Sequence, residues 1–156
     1  MKEAGAIALS DDGRPVIDTN CLVEAMQKAP DLGMTVVAHC EDLFLAKGWF
    51  MNEGETSKEM GIAGVSRAAE DCGTAREIAI AAAYNLPIHI CHVSTKGSCD
   101  LIRDGQKRGV KVTAETAPHY LLLTDNELRK KDADCRMNPP LRSESDRLAM
   151  IEAVKD

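Results

Sequence analysis

The feature that most constrains this chain is the alternation of short apolar segments with longer helical ones. Continuous apolar runs predict buried strands over residues 5–9, 34–38, 86–91 and 110–115. Apolar residues at helical spacing predict helices over residues 18–28, 66–85 and 98–107, and from about 143 onward. Strands that are apolar throughout and joined by helices run parallel, with both sheet faces covered. We therefore expect an α/β fold.

This periodicity is compatible with two architectures, an open doubly wound sheet and part of a (β/α)8 barrel. The local helix signals fit either one. Asp18 and Thr19 can cap the first helix, and the segment from Thr124 to Glu127 matches a capping box for a further short helix. Neither a repeat nor a low-complexity linker divides the chain, so we expect one domain.

Composition excludes several classes of function. The formal net charge is -6 and only 3% of the residues are aromatic, which disfavours nucleic-acid binding. No run of eighteen apolar residues is present and the start does not resemble a secretory leader, so we expect neither a membrane span nor secretion. The cysteines form no CxxC pair, and we expect buried, reduced thiols in a cytoplasmic protein. They are Cys21, Cys40, Cys72, Cys91, Cys99 and Cys135.

Polar residues follow the predicted strands at the points where the strands end. Asp12, His39 and His92 follow the first three strands, and Glu115 with His119 follows the fourth. The carboxyl ends of parallel strands share one face, which carries the chemistry in such folds. Two imidazoles and a carboxylate suit Zn²⁺ with an open position for water. Such an ion acidifies water and polarises a carbonyl, which favours amide hydrolysis.

Each of these residues also has a structural interpretation. A single histidine after a strand is more often a helix cap or a core hydrogen-bonding group than a ligand, whereas three such residues at successive strand ends favour a metal. Period-two alternation turns His89 to the face opposite His92, which indicates a structural role. The role of His119 stays open between the site and a loop, and Asn138 before Pro139 is by default a turn residue. The chain lacks GxSxG, GxGxxG and Walker motifs, which disfavours serine hydrolases, dinucleotide enzymes and NTPases.

Five short motifs occur in a specific order along the chain. They are Ser10-Asp11-Asp12-Gly13, Ala38-His39-Cys40-Glu41-Asp42, His89-Ile90-Cys91-His92-Val93-Ser94-Thr95, Thr113-Ala114-Glu115-Thr116-Ala117-Pro118-His119 and Met137-Asn138-Pro139-Pro140-Leu141-Arg142. In this order they resemble the signatures of bacterial dihydroorotases of the amidohydrolase superfamily. The resemblance covers essentially the whole chain.

The resemblance implies a (β/α)8 barrel that interconverts dihydroorotate and carbamoyl aspartate in pyrimidine biosynthesis, with one or two zinc ions. By position, Asp12, His39 and His92 match the metal ligands that end barrel strands four, five and six. Asn138 matches a residue that hydrogen-bonds substrate. Hydantoinase-like relatives use a carbamylated lysine in the strand-four position, where this chain has Asp12.

Two elements of the family pattern are not in the chain. The His-x-His pair with its arginine is expected upstream of Met1, and the strand-eight aspartate that acts as general base is expected downstream of Asp156. Since a barrel needs about 250 residues, we expect residues 1–156 to be the central part of one, roughly strands four to seven with their helices. This part alone carries no catalytic base and is expected to be inactive.

Three alternatives remain at this point. The chain could be a non-catalytic homologue that acts as a scaffold for aspartate carbamoyltransferase, although a scaffold has no need of metal ligands. It could be an allantoinase or hydantoinase, or a free-standing α/β binding module. Because an unclosed barrel exposes strand edges, a homo-oligomer is a further expectation.

Overall fold

A parallel sheet of four strands lies at the centre of the computed structural model, which describes residues 1–48 and 50–156. The strands are short: β1 (Leu9–Ser10), β2 (Val36–Ala38), β3 (Ile88–Ile90) and β4 (Val112–Ala114). All three pairings are parallel, and the order in the sheet is the order in the chain. A doubly wound sheet reverses its strand order, whereas a barrel advances one place at each crossover. The topology therefore matches part of a barrel.

Helices connect the strands and cover one face of the sheet. The α-helices are α1 (Thr19–Lys28), α2 (Leu43–Ala46), α3 (Glu55–Met60), α4 (Ala68–Tyr84), α5 (Lys96–Lys107), α6 (Pro118–Leu122) and α7 (Glu144–Ala153). Short 3-10 turns lie at Lys2–Ala4, Pro30–Leu32, Asp125–Lys130 and Ala133–Cys135. The helices predicted around 18–28, 66–85, 98–107 and after 143 are confirmed, whereas α3 and α6 had no clear periodic signal.

The two faces of the sheet differ in burial. Val36, Ala38, Ile88 and Ile90 are buried in one core with residues of α1, α4 and α5. On the alternate face, Val37 and His89 are half-buried and Thr113 is exposed. The expectation that both faces are covered is therefore wrong for the described residues. The less buried face is the one that a closed barrel turns to its interior.

Of the two predicted helix caps, the one at Asp18 is confirmed and the one at Thr124 is wrong. The Asp18 carboxylate accepts hydrogen bonds from the backbone of Asn20 and Cys21, as a capping residue does. Thr124, in contrast, makes no side-chain cap, and the capping box predicted there does not form. The reason is that the neighbouring Asp125 turns inward and accepts a hydrogen bond from Asn52 at 2.8 Å.

The six cysteines are free thiols, as predicted, but Cys21 and Cys72 are exposed instead of buried. Within residues 1–48 and 50–156, none of the helices has the length and apolar character needed to cross a membrane.

Candidate metal centre

The side chains of Asp12, His39 and His92 meet at the carboxyl edge of the sheet. Asp12 lies two residues beyond β1, His39 directly follows β2, and His92 lies two residues beyond β3. Since these strands are parallel neighbours, their ends lie side by side. The three residues predicted as ligands are therefore brought together, although Asp12 and His92 are 80 positions apart in sequence.

Their ligand atoms form a compact triangle. His92 Nε2 lies 3.0 Å from Asp12 Oδ1 and 3.0 Å from His39 Nδ1. The third edge, from His39 Nδ1 to Asp12 Oδ1, measures 3.7 Å. Ligands about 2.0–2.1 Å from a tetrahedral zinc ion lie about 3.3 Å from one another. The triangle therefore has the dimensions and the nitrogen and oxygen donors that a zinc site requires.

Asp11 fixes the position of the β1 end relative to the β2 end. Its Oδ1 accepts a hydrogen bond from the backbone N–H of His39 at 2.9 Å, and its Oδ2 accepts one from Val16 at 2.9 Å. Asp11 thereby closes the turn after β1 and also anchors a ligand-bearing segment of the neighbouring strand. The adjacent Asp12 is left free to point outward, with its side chain 64% exposed.

His92 has a backbone conformation that departs from the strand before it. Its φ of 37° lies in the left-handed region, which is uncommon for a residue with a side chain and is concentrated at functional sites. Within β3, His89 Nδ1 forms a hydrogen bond with Thr113 Oγ1 at 2.9 Å. Its other ring nitrogen, Nε2, lies 3.9 Å from Glu115 Oε2. His89 lies outside the triangle, and its structural role stays a prediction.

The second nitrogen of the His39 ring contacts Glu41 and Asn138. His39 Nε2 lies 3.2 Å from Glu41 Oε2 and 3.3 Å from Asn138 Nδ2, and the Asn138 amide donates to Glu41 at 3.4 Å. His39 itself is fully buried. A carboxylate behind a histidine ligand is the usual arrangement in metal sites. The sequence did not single out Glu41, although its place two residues after a strand-end histidine was a usable signal.

The surroundings keep both carboxylates ionised. The hydrogen bond with His92 lowers the pKa of Asp12, and its effect exceeds the opposing effect of burial. The hydrogen bond with His39 likewise lowers the pKa of Glu41. Asp12 is therefore in the charge state that a metal ligand needs, and Glu41 is a pure hydrogen-bond acceptor at neutral pH.

His119 lies near this cluster but is not one of its three ligand residues. It is in α6, with its ring centroid 4.1 Å from that of Tyr120. Burial, and then the charge of His92, lower the pKa of His119. A neutral imidazole is therefore favoured at this position.

A buried carboxylate behind the site holds the segment that follows His92. Glu70, in α4, accepts hydrogen bonds from the backbone of Ser94 at 2.9 Å and of Thr95 at 3.0 Å. The hydroxyl groups of both residues also donate to Glu70. A helix of the outer layer thereby fixes the chain just after a candidate ligand.

Arg142 joins this carboxylate to the segment that carries Asn138. The guanidinium is buried and lies 3.4 Å from Glu70, while it donates to Ser94 at 3.0 Å and to Asn52 at 3.4 Å. Arg142 belongs to the motif that contains Asn138, but its sequence gives no sign that the side chain is buried. The ion pair between Arg142 and Glu70 therefore links the segment after His92 to the segment that carries Asn138.

Comparison with known proteins agrees with this arrangement. The family described as Dihydro-orotase-like matches residues 1–98. Proteins named dihydroorotase from Geobacter metallireducens and Desulforapulum autotrophicum are 49% and 50% identical over the whole chain, which spans 37% of their length. A solved D-hydantoinase is 27% identical over 94% of the chain and 34% of its own, with a TM-score of 0.73. An L-hydantoinase from Arthrobacter aurescens, at 19% identity and a TM-score of 0.75 over 95% of this chain and 35% of its own, shows the fold alone.

The strand order and the polar residues at the strand ends define the amidohydrolase class of (β/α)8 barrel, of which this chain contains a part. Within that class the match is specific. The chain belongs to the dihydroorotase-like family.

Proposed function

We propose that this chain is part of a dihydroorotase, which reversibly hydrolyses the cyclic amide of dihydroorotate to carbamoyl aspartate in pyrimidine biosynthesis. The observation that carries the proposal is that Asp12, His39 and His92 each place one ligand atom within 4.8 Å of the other two. Identities of 47–50% to proteins named dihydroorotase support this choice of substrate.

The proposal assigns residues 1–156 to the central part of the barrel, roughly strands four to seven. Support comes from the sequential parallel strands and from the 37% of the relatives' length that the chain spans. The remaining ligands and the general base then come from other parts of the barrel. The chain by itself is expected to bind metal but not to turn over substrate.

Asp12, His39 and His92 would hold a zinc ion, and the donor set suits that ion. When bound, zinc polarises the amide carbonyl and acidifies a water molecule. The remaining side chains hold the ligand residues in position. Asp11 fixes the backbone of His39, and Glu70 fixes the segment after His92.

Asn138 is the proposed substrate-binding residue of this chain. Its side-chain amide lies at the edge of the centre, 3.3 Å from His39 Nε2. An amide offers both a donor and an acceptor, which suits the mixed polar edge of a cyclic ureide. Within a complete barrel that contains this chain, Asn138→Ala should therefore raise the KM for dihydroorotate more than it changes the zinc content.

A hydantoinase is the second candidate, because solved hydantoinases share the fold. Hydantoinase-like enzymes place a carbamylated lysine where this chain has Asp12, which favours dihydroorotase. The two functions differ in substrate: a hydantoinase would hydrolyse hydantoin rings and leave dihydroorotate unchanged.

The decisive experiment places this chain inside a complete barrel. A chimera in which residues 1–156 replace the matching segment of the Geobacter metallireducens relative should hydrolyse dihydroorotate, whereas the 156-residue chain alone should not. The matched controls are chimeras with His92→Ala, expected to be inactive, and with His89→Ala, expected to retain zinc. A folded, zinc-loaded chimera that acts on hydantoin alone would overturn the assignment.

The same proposal includes a cytoplasmic location and an assembly partner. Large apolar side chains are exposed at Ile7, Phe44 and Leu122, which is consistent with further packing against the rest of a barrel, a second copy or aspartate carbamoyltransferase. Light scattering of the chain, alone and mixed with that transcarbamoylase, measures which assembly forms.

A further inference from the structure

We infer that Glu41 is a positioning residue that sets which nitrogen of His39 faces the metal, an inference that rests on the proposed metal centre. The His39 Nδ1 is directed at the centre, 3.0 Å from His92 Nε2 and 3.7 Å from Asp12. A neutral imidazole has one lone pair, so Nδ1 can act as a ligand only when the proton is on Nε2.

Glu41 is the group that holds the proton on Nε2. Its Oε2 lies 3.2 Å from His39 Nε2, and an ionised carboxylate can only accept. The His39 side chain is 1% exposed and that of Glu41 is 12% exposed, so water competes little for this contact. Without a metal, the His39 ring therefore favours the tautomer with its proton on Nε2, which leaves the Nδ1 lone pair available to a metal ion.

The carboxylate is in turn held by a separate segment. The Asn138 amide donates to Glu41 Oε2 at 3.4 Å, which orients the acceptor toward the ring. The same amide nitrogen lies 3.3 Å from His39 Nε2, but it is neutral, and the ionised Glu41 carboxylate at 3.2 Å is the stronger partner for that ring nitrogen. His92 has no such arrangement, because its buried Nδ1 lacks a hydrogen-bond partner in the part of the chain that the structure describes. Of the two imidazoles, His39 is thus the one whose outer nitrogen, on the side away from the centre, is held by a carboxylate.

The test measures zinc affinity of the 156-residue chain by competition with a chromophoric chelating indicator. Glu41→Ala should weaken zinc binding by about 10- to 100-fold, the effect typical of removing such a partner. Glu41→Gln keeps a weaker acceptor in nearly the same shape and should give a smaller loss. Glu24→Gln is the matched control, because it removes an exposed carboxylate paired with Lys28 in α1 and should leave the affinity unchanged.

A second readout follows the tautomer without any metal. The 15N shifts of the His39 ring should report a proton on Nε2 in the unsubstituted chain and a mixture of tautomers in the Glu41 variants. A merely structural role for Glu41 would leave these shifts unmoved. Should Glu41→Ala fail to fold by circular dichroism, the near-isosteric Glu41→Gln chain decides the question through the same two measurements.

The outcomes separate this inference from the proposed function. If the unsubstituted chain binds no zinc, the metal centre itself is refuted. If it binds zinc and the Glu41 variants bind it as tightly as Glu24→Gln, with unchanged His39 shifts, only the positioning role is overturned.

Discussion

Removal of the Glu70 carboxylate should be among the most damaging single substitutions in this chain. Glu70→Ala deletes the acceptor for two backbone N–H groups, those of Ser94 and Thr95, and for their hydroxyls. It also leaves Arg142 without its carboxylate partner, and Arg142 is 4% exposed. The substitution therefore leaves both an uncompensated buried charge and unsatisfied polar groups.

The expected loss of stability follows from these contacts. Breaking a buried ion pair by removing one partner costs about 3–5 kcal/mol, because the other charge stays buried. Arg142 keeps its contacts to Ser94 and Asn52, which places the estimate near the lower end, about 3 kcal/mol. Since domains are stable by about 5–15 kcal/mol, this is a large fraction of the total.

The assay is urea unfolding of the chain followed by circular dichroism. Glu70→Gln keeps an acceptor and should lose less than Glu70→Ala. The exposed Glu24–Lys28 pair, at 3.7 Å, supplies the comparison, and Glu24→Gln should change the midpoint little. A Glu70→Ala chain with the same unfolding midpoint as Glu24→Gln would refute the idea that this ion pair supports the ends of β3 and the Asn138 segment.

Three further predictions follow from the geometry. His39→Ala and His92→Ala should each abolish zinc binding, measured by metal analysis after dialysis; zinc retained in both variants would remove these residues as ligands. Gly73→Ala should lower the unfolding midpoint, because an added Cβ would lie 2.7 Å from the Glu41 backbone nitrogen. Gly105→Ala is the comparison and should cost less, because its Cβ would approach side-chain carbons of Ile78 and Val112 at 3.1 Å or more and no backbone atom is among its nearest neighbours. Burial raises the pKa of Glu77 against the opposing effect of its ion pair with Arg76, so the contribution of Glu77 to stability falls as pH rises from about 4.5 through the higher folded pKa; in urea titrations at each pH, the unfolding free energy of Glu77→Gln relative to the unsubstituted chain should rise across that range, and a constant difference would refute the shift.

The strand ends show how much of the site the sequence can predict. Asp12, His39 and His92 could be chosen because each follows an apolar run, and in a parallel sheet such positions meet. His89 could be set aside because alternation along a strand turns it away from His92. Both predictions depend only on local periodicity and the direction of the strands, and the packing of the helices is not needed to make them.

The supporting residues could not be predicted in this way. Glu70 lies in a helix whose sequence indicates only an amphipathic surface, and its partners Ser94 and Arg142 are 24 and 72 positions away. The segment from Thr124 to Glu127 shows the opposite error, since its local pattern predicted a capping box, whereas Asp125 makes tertiary contacts with Asn52 and Thr56 instead. Long-range polar contacts of this kind carry no periodic signal.

The three ligand atoms come from the ends of three strands and are separated by as many as 80 residues in the chain. In the unfolded chain these residues are dispersed, so an ion at this centre would bind only the folded form. At a free zinc concentration 100 times the Kd, this linkage adds about 2.7 kcal/mol to the folding free energy. EDTA would consequently act on this protein as a mild denaturant, and the melting temperature would report the free zinc concentration.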